Sequence, residues 1–168
     1  MRSLVAVITV ALLLGQPRAS PHDAVSGTID GAQITVTYGR PYMRGRKIFG
    51  ALVPYGRVWC PGADEATTLD STRALRVGEL AVPPGPHTIW MVPDADTWML
   101  VVSREPNGFH TRYNEAADLG RVALQKRALA NSIEQLTFAI DKISPSGGPA
   151  IRMMWEQTEV WIPIRVVE

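Results

Sequence analysis

Along the chain, apolar and polar residues alternate in short runs separated by glycine- and proline-rich turns. In "AQITVTYG", Ile34, Val36 and Tyr38 share one face and Thr35 and Thr37 the other, the period of a half-buried strand. "ATTLDS" and "ALRVGEL" read as two further short segments. "VPPGP" imposes a turn, because proline fixes φ and glycine accepts the backbone angles that a tight turn needs. The apolar runs "HTIWMV" and "TWMLVVS" flank "PDAD", which makes them a hairpin carrying Trp90 and Trp98. Both strands are apolar on two faces, so they belong in the middle of a sheet.

The stretch "VALQKRALANSIEQL" can be read as strand or as helix and is the only helical candidate. "EQLTFAI" resumes alternation, with Leu136, Phe138 and Ile140 on one side. Further on, "AIRMMW" is expected to pair across "EQTE" with "VWIPIRV", in which Val160, Ile162, Ile164 and Val166 alternate. Pro163 cannot donate to a ladder, which assigns it to a sheet edge or a bulge. Trp161 lies off the alternating face and is the tryptophan expected to be exposed. Short strands spaced by Gly/Pro turns predict an all-β fold, a single-domain antiparallel β-sandwich, jelly-roll-like, over residues 20–168. No internal repeat or linker interrupts it.

The first nineteen residues stand apart from this pattern. Arg2, an apolar run from Leu4 to Leu14 and the small residues of "PRAS" describe a secretory signal peptide, residues 1–19, with cleavage expected after Ala19. The apolar run is shorter than the roughly 20 residues needed to cross a bilayer, so no transmembrane helix is expected once the signal is removed. The protein is therefore expected to be exported, either periplasmic or secreted. Removal takes Arg2 and Arg18 but no acid, and the 17 basic and 16 acidic residues of the full chain come close to balance. Such a balance argues against nucleic acid as a partner. Cys60 is the sole cysteine, so the fold rests on its core and not on disulfides. It reads as a small buried apolar residue.

Against this balanced background one stretch is one-sided. Between Asp30 and Asp64 there is no acidic residue, yet Arg40, Arg44, Arg46, Lys47 and Arg57 all occur there, interleaved with Tyr42, Phe49, Tyr55 and Trp59. Guanidinium groups form planar forks that suit carboxylates and phosphates, and they stack on aromatic rings. A small anionic or carbohydrate ligand is the expected partner, with Arg40, Arg46, Lys47, Arg57, Trp59, Glu65 and His87 as candidate contacts. The alternative is a hydrolase or isomerase acting on a sugar or sugar acid, with Glu65 or Asp64 as general acid/base. A second alternative is an envelope interaction protein without a small-molecule site.

His22 is expected in a loose N-terminal stretch, His87 opens a strand and His110 lies in a loop. None has the spacing of a helical zinc site. A metal held by His87, His110 and Asp64 or Glu65 is conceivable, but ordinary histidines are the simpler reading and no metal is assigned. Serine-hydrolase elbow, P-loop, dinucleotide-binding, CxxC and HExxH patterns do not occur, and no cofactor is implied.

The motifs "ITVTYGRPYMRGRKIFGALVPYGRVW", "GADEATTL" and "VPPGPHTIWMVPDADTWMLVV", in that order, resemble an exported bacterial family built on a domain of unknown function (DUF2911). The resemblance runs from Val25 through the last strand and implies a signal peptide and a β-sandwich. It implies no activity. The family pattern has a basic residue where this chain has Cys60.

Overall fold

The computed structural model describes residues 20–167; the expected signal peptide lies outside them. Among the described residues nine strands form the fold: β1 (His22–Ile29), β2 (Ala32–Gly39), β3 (Thr68–Ser71), β4 (Leu75–Val77), β5 (Leu80–Val82), β6 (Gly85–Val92), β7 (Trp98–Ser103), β8 (Asp118–Asp141) and β9 (Ala150–Val166). They form one antiparallel sheet in the order β1-β2-β3-β6-β7-β8-β9-β4-β5, so the all-β expectation holds. In β2 the predicted alternation is realised: Ala32, Ile34, Val36 and Tyr38 are buried. The tryptophan hairpin is β6–β7, and it is central.

The sheet turns back on itself because β8 changes partners along its length. Its first part, up to Leu124, pairs with β7, and its later part, from Gln125, pairs with β9. A long strand that leaves one partner for another is a corner between two layers. Tyr38 of β2 meets Phe138 of β8 edge to face at 4.8 Å, and its hydroxyl accepts from the Phe138 amide at 3.0 Å. Buried residues of both layers form one cluster that includes Ile34, Leu69, Met91, Leu136, Met153 and Ile162. Close approach of β1 to β8 requires Gly27, since a Cβ there would sit 2.8 Å from Ile140 Cγ2.

Several local expectations change. Val122–Leu136 is strand and not helix; the register breaks between Ala128 and Ile133 and again between Ile133 and Thr137, so the loss of alternation marks bulges. "AIRMMW" and "VWIPIRV" are not a hairpin but one strand, β9, bent at Glu156, whose φ is 55°. "ALRVGEL" is two strands, β4 and β5, around Gly78 and Glu79. Trp161 is buried rather than exposed. Its Nε1–H donates to Ser146 Oγ at 3.0 Å, and Arg127 lies 5.8 Å from its ring centre. His22 is not loose, because it is the first residue of β1 and pairs with Gly39. Pro163 lies beyond Trp161, where the β8 pairing ends, so its missing N–H interrupts no β8 ladder bond.

Candidate functional site

The long connection from β2 to β3 carries the Arg-rich stretch and is held at several points along its length. Its beginning is pinned to β8: Leu136 N–H donates to Pro41 O at 3.0 Å and Met43 N–H to Glu134 O at 2.8 Å. Its far end is pinned to β6, where Trp59 and Met91 exchange two backbone bonds of 2.8 Å. Between them Ile48, Phe49 and Val53 enter the core, with Phe49 packed edge to face on Trp98 at 4.7 Å. Glu156 fastens the middle. Its carboxylate accepts from the amides of Ile48 and Phe49 at 3.2 and 3.3 Å.

That clamp gives a direct expectation. Glu156→Ala keeps the same left-handed backbone cost but leaves two amides without their acceptor, a loss on the order of 1–3 kcal/mol. Amide hydrogen exchange should quicken at Ile48 and Phe49 while β2 and β6 stay protected. Unchanged exchange at both amides would show that the loop does not depend on the clamp.

Met43–Arg46 forms a tight turn in which Arg44 and Gly45 have φ of 49° and 71° and Arg46 N–H donates to Met43 O at 3.1 Å. Positive φ at both central positions is the form usually filled by Gly, Asn or Asp. Arg44 occupies one of them, with its amide tied to Glu134 Oε1 at 2.8 Å. Arg46 folds back, donating from Nε to Met43 O and from Nη2 to Tyr42 O, each at 2.8 Å.

These turns enclose a cleft of about 570 Å³. Its walls are the cationic Arg44, Arg46 and Arg57, the imidazole-bearing His110 and the aromatic Tyr42, Trp59 and Trp155, and among the described residues no carboxylate-bearing one lines it. Trp59 and Trp155 stack with centroids 6.2 Å apart and planes 13° from parallel. Among the described residues no carboxylate lies within ion-pair distance of Arg44, Arg46 or Arg57. His110 is tied to Asp64 O through its amide at 3.3 Å and through ring Nδ1. A carbonyl only accepts, so ring Nδ1 is the donor in that bond.

Of the residues singled out in the sequence, Arg46, Arg57 and Trp59 meet in this cleft. Arg40 is elsewhere, its fork spent on Asp23 Oδ2, Leu136 O and Thr137 Oγ1, each at 3.0 Å. Lys47 is exposed on the loop but is not part of the wall. His87 is buried, with Nδ1 3.1 Å from Ser103 O and Nε2 3.0 Å from Pro83 O. Glu65 lines a separate depression, where its carboxylate is 2.9 Å from His22 Nε2; Asp64 Oδ2 is 3.9 Å from the same nitrogen. Asp64 has a φ of 67°, and this turn brings both carboxylates toward one histidine. His87, His110 and these acids are not assembled, and among the described residues no group of three or more His, Cys, Asp or Glu is placed to hold a metal.

Cys60 is buried against Ala66, Trp90 and Val101, with its sulfur 3.3 Å from the Thr67 amide. Burial pushes its thiol up, partly offset by that bond. Arg44, Tyr42, His110 and Trp155 complete the walls without having been assigned there from sequence. The absence of acids around Arg44 was the one available signal. His110 and Trp155 arrive from distant strands and connections, and no local pattern marks them. The loop bearing His110 is held by Tyr113, which donates to Asp118 Oδ2 at 2.6 Å and accepts from Arg121 at 2.7 Å. Desolvation and the Asp118 contact push the Tyr113 hydroxyl up to about 12.

Residues 20–164 match the family model described as "Protein of unknown function (DUF2911)". No curated protein and no solved structure matches the chain.

Proposed function

The chain belongs to this family of unknown function (DUF2911), and we propose that it is an exported protein whose cleft binds a small anion, a phosphate or carboxylate carried on a larger body. One observation carries the reading: Arg44, Arg46 and Arg57 line a cleft that no carboxylate lines among the described residues. Cations gathered without counter-charges repel one another, and an anion between them removes that repulsion. Arg46 arrives with its guanidinium already fixed by its own loop, which reduces the ordering cost of binding. The stacked Trp59 and Trp155 offer an apolar wall to the body of the ligand, and an acidic sugar satisfies both parts of the site. Export rests on the signal-like character of residues 1–19.

A hydrolase or isomerase using Glu65 or Asp64 would need those carboxylates beside the arginines. They are beside His22 instead, so binding is the better supported reading. It is tested by thermal melting of the purified protein with matched pairs such as glucose 6-phosphate and glucose, or glucuronate and glucose. At about 100 times its Kd a ligand adds roughly 2.7 kcal/mol, several degrees for a domain of this size. The charged member of a pair is expected to raise Tm, less so at high salt, and the neutral member to leave it unchanged. Equal shifts from both members, or none from any anion, would overturn the proposal.

A further inference from the structure

Among the described residues, six large apolar side chains are exposed: Tyr42, Leu52, Tyr55, Phe109, Ile143 and Val167. The first two line the cleft, and the next two are sequence neighbours of residues that line it. Tyr42 and Leu52 belong to its wall, and Tyr55 lies between the wall residues Pro54 and Arg57. The Phe109 ring is 4.5 Å from that of His110. Leu52 and Phe109 are each 47% exposed, although the connection carrying Leu52 is otherwise tied down by the core and by Glu156. Apolar surface concentrated at one place and bordered by charge marks a contact surface. An inorganic anion or a simple sugar acid would leave this rim bare.

Resting on the anion-binding reading above, we propose that the ligand is a monomeric amphiphile. Its anionic head sits among Arg44, Arg46 and Arg57, and its hydrocarbon tail lies over Leu52 toward Tyr42, Tyr55 and Phe109. Charge complementarity fixes the head, because the cations line a concavity and not a flat face. The tail lies where the exposed apolar side chains are. The stacked tryptophans of the wall supply a fluorescence signal for either part.

The test is a titration of the purified protein with methyl, butyl, hexyl and octyl phosphate below their micelle concentrations, with vesicles of phosphatidylglycerol and phosphatidylcholine run in parallel. Kd is expected to fall with chain length, by up to about fourfold for each methylene fully buried. The fall should level off once the rim is covered. The slope should flatten in a variant combining Leu52→Ser and Phe109→Ser, both at exposed positions where folding is not at stake. Equal Kd values across the series would overturn the amphiphile and leave the anion reading intact. No binding by any member would overturn both. Binding to the anionic vesicles alone would replace a monomeric ligand by docking on a lipid surface.

Discussion

Glu159→Ala is expected to cost about 3–5 kcal/mol of stability, the magnitude seen when one partner of a buried ion pair is deleted. Glu159 is 0% exposed and stands opposite Arg127 in the β8–β9 ladder. Its two carboxylate oxygens pair with Arg127 and Arg152, and Arg152 pairs also with Asp141. Deletion leaves the largely desolvated Arg152 guanidinium with Asp141 as its remaining carboxylate partner among the described residues, whereas Arg127, at 48% exposed, can turn to water. Because β8 and β9 form the corner on which the two layers meet, the loss should appear as a lower cooperative midpoint in urea, equivalent to roughly 10 °C in Tm. Removing the charge from both sides, as Arg152→Met with Glu159→Leu, should recover most of it, since well-packed apolar residues can replace a buried pair at little cost. A loss below about 1 kcal/mol in Glu159→Ala would mean that the arginines re-solvate freely and that the network is not what holds the corner.

The same network shows where sequence reading stops. Local alternation identified β2 and the β6–β7 hairpin, because their faces are set by neighbours two residues away. β8 was ambiguous for a physical reason: its two register breaks put residues such as Asn131 and Ser132 outside the regular pleat. That removed the period on which the strand assignment rests. "EQTE" looked like a turn because it is polar. Its polarity is instead spent inward, on Glu156 holding the loop and on Glu159 facing two arginines. Trp161 looked exposed because parity alone ignores Arg127 and Ser146 covering it. In the site, the cationic run was legible from the missing acids. The division of its members was not, since nothing local says that Arg40 meets Asp23 while Arg57 meets no carboxylate among the described residues. Distant residues make that choice.

This division supplies the sharpest test of the cleft. With the charged ligand that gives the largest melting shift, Arg46→Ala and Arg57→Ala are each expected to weaken binding about tenfold, and the double variant about a hundredfold. A charge-assisted hydrogen bond contributes roughly 1.5–3 kcal/mol, and solvent in the open cleft argues for the lower end. Lys47→Ala removes the same charge from the same loop but outside the wall, so it should change Kd less than about twofold. Arg57 has no ion partner among the described residues to lose, and its replacement should leave stability within about 0.5 kcal/mol. Arg57→Lys separates charge from shape. A lysine keeps the charge but not the fork, so it should recover only part of the loss if the anion is gripped in two places. Equal losses in the Lys47, Arg46 and Arg57 variants would mean that the loop attracts anions only as a diffuse field, which screening over about 10 Å at 0.1 M salt would suppress. Selective loss at Arg46 and Arg57, surviving at that salt, requires direct contact within the cleft.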